Sequence, residues 1–271
     1  MTDIGIGTYA YAWAIGVPNF PAPQTPMDVI AFVTRCAELN VNLVQIADNI
    51  PLHNLSESTI EELEETVDRL NLKVEIGTRG IAPDHLRQYL RLAERFHSPF
   101  LRIVVDTADH HPDVPEIIET LKVLIPEFEA KNIILAIENH DRFKAKTLVD
   151  IIQSVDSSHI GICLDTVNSF GALEGPDVVI ETLGQYVVNL HVKDFTIGRL
   201  PHNMGFELTG VAAGAGMLNL PSVMQRLENY GCDFNAILEV WTPYTGNIAE
   251  TIANEAEWVE QSINYLKGAI T

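Results

Sequence analysis

Four stretches in the second half of this 271-residue chain place acids or an imidazole directly after apolar runs. "LAIENH" ends in Glu138, Asn139 and His140; "GICLDTVN" carries Asp165 and Asn168; "NLHVKDF" carries His191, Lys193 and Asp194; "AILEVW" carries Glu239 and Trp241. Polar side chains are costly to bury, so a cluster where an apolar run ends needs a partner or a task. Side chains alternate along a strand, which puts Glu138 on the face of Ala136 and His140, Asp165 with Cys163, His191 with Asn189, and Glu239 with Ile237. If those faces point inward together, three carboxylates and one imidazole share a small volume, and the carboxylates cannot all stay ionised there without help. One divalent metal ion held by Glu138, Asp165, His191 and Glu239 resolves the repulsion. An oxygen-rich set with one imidazole suits Mn²⁺ or Mg²⁺, with Zn²⁺ or Co²⁺ also compatible, and leaves room for two substrate oxygens. The competing reading is an internal salt-bridge network through Lys193 and nearby arginines.

Such a cation, chelated by a hydroxyl and an adjacent carbonyl, acts as a Lewis acid for the enediolate that forms when a neighbouring C–H bond breaks. Glu138 and Glu239 are then the acid/base candidates, and Lys193 either lends charge to a substrate oxygen or pairs with Asp194.

The elements that must position these residues are legible as alternation. Strand candidates are "IGIGTYA" from Ile4, "LVQIA" from Leu43, "KVEIG" from Lys73, "LRIVV" from Leu101, "IILAIE" from Ile133, "HIGICLD" from His159, "VVNLHV" from Val187 and "AILEV" from Ala236. Helical patterns separate them. "TPMDVIAFVTRCAEL" reads as a helix with Thr25 as N-cap and Pro26 at the first position. "SESTIEELEETVDRL" pairs Ser58 and Glu61 at capping-box spacing and lines up Ile60, Leu63, Val67 and Leu70. Further helices are expected near Pro83, Pro115, Thr147, Asp177, Leu220 and Ile248. Eight such units predict one (β/α)8 TIM barrel over residues 1–271, with its site at the C-terminal ends of the strands. A doubly wound sheet would show a G-x-G-x-x-G turn after its first strand, which "GTYAYAWAIG" does not fit.

Composition narrows the partners. The formal net charge of -20 disfavours nucleic acid, which is held by Lys and Arg. No basic leader and no apolar run of roughly 20 residues is present, so a cytoplasmic protein with no membrane partner is expected. Cys36, Cys163 and Cys232 have neither disulfide nor zinc-ribbon spacing and read as buried thiols. The scarcity of basic residues near the site argues against a phosphorylated small molecule. The amphipathic C-terminal helix packs either on the barrel or on a second copy in a homo-oligomer.

The order E, D, H, E carried by "IEN", "LDT", "HVKD" and "LEVW", together with "GAG" at Gly214 to Gly216, resembles the xylose-isomerase-like superfamily of sugar (phosphate) isomerases and epimerases. The likeness implies the barrel over essentially the whole chain, a single divalent metal on Glu138, Asp165, His191 and Glu239, a small-molecule carbohydrate substrate, and an isomerase or epimerase in which the two glutamates move protons on opposite faces of that substrate. One position departs: where many of those enzymes have a histidine three residues after the aspartate, this chain has Asn168, which cannot act as an acid or base near neutrality. The resemblance therefore leaves a second reaction open, decarboxylation or lysis of a 3-oxo sugar acid at the same metal, which needs only one reprotonating acid. "TIGRLPHNMGFELTGVAAGAG" is similar to segments of relatives acting on sugar acids, and Arg199 and His202 in it are candidates for a substrate carboxylate. His140, Asn168, Lys193 and Trp241 are the remaining candidate substrate contacts.

Weaker signals complete the reading. Tyr9, Tyr11 and Trp13 are expected to wall the pocket with Trp241. His53, Arg79 and "DHH" at Asp109 to His111 stand at the functional ends of their strands. Glu75 and Arg102 lie within strands and are expected to form an internal ion pair. A repair endonuclease would need more histidines and a basic surface, whereas a non-catalytic metal-binding barrel stays open.

Overall fold

Gly5, Gly7 and the β-branched residues of Leu43–Ile46 allow two short strands to pair closely, and that pairing starts a closed sheet. The computed structural model describes residues 2–270. Its eight barrel strands are β1 (Ile4–Gly7), β2 (Leu43–Ile46), β3 (Lys73–Arg79), β4 (Phe100–Val104), β5 (Ile134–Glu138), β6 (Ile160–Asp165), β7 (Val187–Val192) and β10 (Asn235–Leu238), all parallel and closed between β1 and β10. The expected (β/α)8 barrel is the observed fold. Its helices are α1 (Ala12–Ile15), α2 (Val29–Glu38), α3 (Glu57–Leu70), α4 (Pro83–Arg95), α5 (Val114–Lys131), α6 (Ala145–Val155), α7 (Pro176–Leu183), α8 (Leu220–Asn229) and α9 (Ile248–Ala269).

Several boundaries differ from the sequence reading. The first strand stops at Gly7 and turns into a 3-10 segment, Thr8–Tyr11, rather than running to Ala10. The cap of α2 is Asp28, whose carboxylate accepts from Ala31 N at 2.8 Å, so Thr25 and Pro26 lie outside it. Similarly Ser56, not Ser58, caps α3 by accepting from Thr59 N. In both cases the residue with a free oxygen directly before the first orphan N–H groups takes the cap.

The segment after β7 is not a loop. Residues Asp194–Arg199 (β8) and Phe206–Val211 (β9) form an antiparallel hairpin outside the barrel. Asp194 turns away from Lys193 and accepts from Phe195, Gly214, Gly216 and Leu218 N–H at 2.8 to 3.0 Å, which folds the returning chain against the start of the hairpin. The C-terminal helix packs on the barrel through Val259, Ile263 and Leu266, all buried. Its Glu255 carboxylate accepts from Trp13 N and Ala14 N at 2.8 and 2.9 Å, fixing α1 beside the barrel mouth. No helix among the described residues is long and apolar enough to cross a membrane.

Candidate active site

His191 on β7 is the centre of the cluster. Its Nδ1 lies 3.4 Å from Glu239 Oε1, 3.6 Å from Glu138 Oε2 and 3.9 Å from Asp165 Oδ2. All four side chains are buried. Strand register produces this: Asp165 is paired with His191 across β6 and β7, His191 with Ile237 across β7 and β10, and Glu138 with Cys163 across β5 and β6. Gly7 leaves the room that Glu239 occupies, since a Cβ there would stand 3.3 Å from Glu239 Oε1.

Hydrogen-bond partners fix the orientation of each group. Asp165 Oδ1 accepts from Val167 N and Asn168 N at 2.8 Å, which aims Oδ2 at the centre. Asn139 clamps β5 to β6 by accepting from Asp165 N at 2.7 Å and donating to its carbonyl at 2.9 Å. Glu138 is held on both oxygens: Arg102 Nε donates to Oε2, and Asn168 Nδ2 donates to Oε1 at 2.7 Å. Lys193 Nζ stands 2.8 Å from Asp165 Oδ2 and 2.9 Å from Glu239 Oε2, and reaches Asn168 Oδ1 at 3.4 Å.

The site therefore gathers three carboxylates, one lysine, one arginine and one imidazole. Burial opposes the Lys193 charge, but Asp165, Glu239 and Glu138 raise its pKa and keep it an ammonium. Burial likewise opposes the Arg102 charge, and Glu138, Asp48 and Glu239 outweigh it. For Glu239, burial favours the neutral acid, while the neighbouring positive charges, Lys193 and Arg102 among them, hold it below the usual carboxylate range. With all three carboxylates ionised, the lysine and arginine leave one uncompensated negative charge.

The donor set fits a divalent cation on direct evidence of orphaned atoms. His191 Nε2 lies 2.7 Å from Gln45 Oε1, an acceptor, so Nε2 carries the ring proton and Nδ1 presents a lone pair. That lone pair and Glu239 Oε1 face each other with no hydrogen-bonding partner for either. Asp165, His191 and Glu239 offer ligand atoms all within 4.8 Å of one another, and Glu138, Cys163 and His191 form a second such set. Arg102 and Asn168 set the direction of Glu138, and Cys163 is a buried neutral thiol whose Sγ donates to Asn189 Oδ1 at 3.4 Å.

Other expected residues fall outside this cluster. His140 is half-buried, with Nδ1 2.6 Å from Asp141 Oδ1; it lines a cavity of about 460 Å³ with Tyr9, Asp48, Arg79 and His111. Arg199 and His202 lie exposed near the hairpin tip, Arg199 over the Phe206 ring and donating to Asn203 O at 3.1 Å, His202 accepting from Met204 N. Trp241 donates to Asp194 O at 2.9 Å and packs over Gly210, so it fastens the hairpin to the barrel. Tyr11 is core against Phe32, and Trp13 stacks on Tyr244. His53 Nδ1 pairs with the Tyr89 hydroxyl at 2.8 Å.

The expected Glu75–Arg102 ion pair does not form. Arg102 is level with Gly77, two residues further along β3, where the missing side chain leaves space for it. It pairs there with Asp48 and Glu138. Asp48 also accepts from Tyr9 and Arg79; burial would raise its pKa, but Arg102 and Arg79 hold it down to about 2. Glu75 lies one layer deeper, where Asn235, Gln45 and Asn189 donate to it; burial pushes it up to about 7 against those bonds. Gln45 and Asp48 are site residues that sequence reading passed over; a lone amide inside the apolar run "LVQI" is the signal that points to the first.

The chain belongs to the xylose isomerase-like TIM barrel family, whose family model matches residues 18–269. It is 35% identical over 265 residues to the 3-oxo-isoapionate decarboxylase of Pectobacterium atrosepticum, covering 97% of this chain and 94% of that one. In fold it is similar to D-psicose 3-epimerase from Clostridium cellulolyticum H10, solved with D-tagatose, at 14% identity and a TM-score of 0.72 over 99% of both chains. It is similar also to a xylose isomerase-like TIM barrel protein from Mycobacterium smegmatis in complex with magnesium, at 15% identity and a TM-score of 0.70 over 98% of this chain and 97% of that one.

Proposed function

We propose that this protein is a divalent-metal-dependent decarboxylase of a 3-oxo sugar acid. The observation that carries this choice over a ketose epimerase is the state of Glu138. An epimerase needs an acid/base group on each face of its substrate, and here one of the two glutamates has Arg102 on one oxygen and Asn168 on the other. Asn168 itself replaces an ionisable side chain with one that can only orient. Decarboxylation needs one proton donor, and the 35% identity with a 3-oxo-isoapionate decarboxylase runs through nearly the whole chain.

A cation held by Glu138, Asp165, His191 and Glu239 would supply Lewis-acid stabilisation of negative charge on the substrate's 3-oxo oxygen. The bond between the carboxylate and C2 breaks, CO₂ leaves, the electron pair moves onto that oxygen as an enolate, and C2 then takes a proton. Lys193 is the group in this site that carries a proton to give. Asp165 and Glu239 hold its ammonium in place, Asn168 orients it, and its 13% exposed side chain can be reprotonated from solvent. Buried Arg102 fixes Glu138 by donating to its Oε2. The cavity lined by Tyr9, Arg79 and His140 lies at the same end of the barrel and accommodates the polyol part of the substrate.

The test is product analysis in D₂O with metal-loaded protein. With 3-oxo-isoapionate, one CO₂ per substrate consumed and one deuterium at the former C2 are expected. Deuterium exchange into a ketohexose, with no CO₂ from the acid, would establish the epimerase reading instead.

A further inference from the structure

Beneath the carboxylate cluster a second polar layer crosses the barrel interior, built from Gln45 on β2, Glu75 on β3, Asn189 on β7 and Asn235 on β10. Gln45, Glu75 and Asn189 are fully buried. Fully buried amides in the centre of a barrel are costly unless each polar atom is matched, and here the matching has a direction. Asn235 Nδ2 donates to Glu75 Oε1 at 2.7 Å. Asn189 Nδ2 donates to Glu75 Oε2 at 3.1 Å and to the Asn235 carbonyl at 3.4 Å, so its Oδ1 must face the other way. Gln45 Nε2 donates to that Oδ1 at 3.0 Å and to Glu75 Oε2 at 3.1 Å. Two acceptors therefore pin the amide of Gln45, and its Oε1 is left facing His191 Nε2 at 2.7 Å.

We infer that Gln45 is a positioning residue that fixes the tautomer of His191: through Glu75 and Asn189 it holds the ring proton on Nε2 and keeps Nδ1 free as a ligand atom. The alternative tautomer would put the proton on Nδ1, where Glu239 Oε1 at 3.4 Å would take it as a hydrogen bond. That arrangement satisfies the ring and closes the site to a cation. Ligating histidines generally have their other nitrogen engaged by a carboxylate, carbonyl or water, and loss of that partner weakens metal binding about 10- to 100-fold. In this chain an amide takes that place, and it can do so because Glu75 and Asn189 together exclude its flipped orientation. The inference does not depend on which bond the enzyme breaks.

The experiment is ¹⁵N spectroscopy of the histidine rings in metal-free protein, with His191 assigned by its absence in His191→Ala, combined with Mn²⁺ titration. In the wild type, His191 should show a protonated Nε2 and an unprotonated Nδ1; a proton on Nδ1 overturns the inference without any variant. In folded Gln45→Leu the proton should move to Nδ1 and Mn²⁺ binding should weaken about 10- to 100-fold. Gln45→Glu retains an acceptor for His191 and can share one proton with Glu75, so it should keep the Nε2–H tautomer and bind Mn²⁺ within a few-fold of the wild type. A Gln45→Leu protein that folds, keeps Nε2–H and binds Mn²⁺ as the wild type does would also overturn it.

Discussion

With Glu138, Asp165 and Glu239 ionised, the two positive charges of Arg102 and Lys193 leave the cluster one charge short of neutrality, and the two cations are not equivalent. Arg102 is locked between Glu138 and Asp48, whereas Lys193 ends on Asp165 and Glu239, two of the side chains proposed to hold the metal. Its ammonium thus opposes a second cation by charge, and in the proposed reaction it is the proton donor. Lys193→Gln should therefore bind Mn²⁺ more tightly, by about tenfold as expected for removing one nearby like charge, and should lose CO₂ release by about 100-fold or more. Calorimetric titration and single-turnover CO₂ measurement check the two arms, and unchanged turnover would remove Lys193 from the chemistry. The acids and the imidazole were legible in the sequence because each follows an apolar run of strand length. The Gln45 and Glu75 layer was legible only in part: Glu75 was read as a strand-interior charge but with the wrong partner, Gln45 is one polar letter in an apolar word, and only the barrel's register shows that "LVQI" and "KVEI" place them side by side.

The strands carry the site, but α9 and the β8–β9 hairpin hold its rim, and both do so through buried carboxylates. Glu255 on α9 receives two backbone N–H groups from the start of α1, and burial pushes it up to about 7 from an ordinary 4.5 despite those bonds. A carboxyl that binds its proton more tightly when folded contributes stability in full below about pH 4.5, and that contribution falls as pH rises through about 7. Glu255→Gln, which keeps an acceptor without a proton to lose, should flatten this decline by about 2 kcal/mol between pH of about 5 and about 8. Glu75 has the same sign and would account for the slope that remains. Urea unfolding at the two pH values measures it, and an unchanged slope would show that Glu255 does not titrate in this window. The hairpin was harder to anticipate: "TIGRLPHNMGFELTGV" has alternation too weak to signal a strand pair, and its anchor, Asp194, acts through N–H groups twenty and more residues away. The same long reach explains why Arg199 and His202, near in sequence to His191, lie exposed along a projecting arm.

Eight parallel strands with a polar centre give this chain a rigid frame in which the ends of four consecutive barrel strands, β5, β6, β7 and β10, each present one of the four clustered side chains, Glu239 directly following β10. The fold follows from the alternation of strand and helix periodicity; the family rests on the E, D, H, E order at the strand ends and on the family model that matches residues 18–269. The proposed reaction rests on finer features: the asparagine at position 168, legible in the sequence, and the double engagement of Glu138, which appears only once neighbouring strands are aligned. The central claim is that the Glu138, Asp165, His191 and Glu239 cluster holds one divalent cation on which turnover depends. The most direct test measures bound metal and CO₂ release from a 3-oxo sugar acid together, on wild type and His191→Ala, before and after chelation and Mn²⁺ return. About one metal per chain in the wild type, none in the variant, and CO₂ release that disappears with the metal and returns with it are predicted. CO₂ release that persists after complete metal removal, or equal metal content in His191→Ala, would contradict the account.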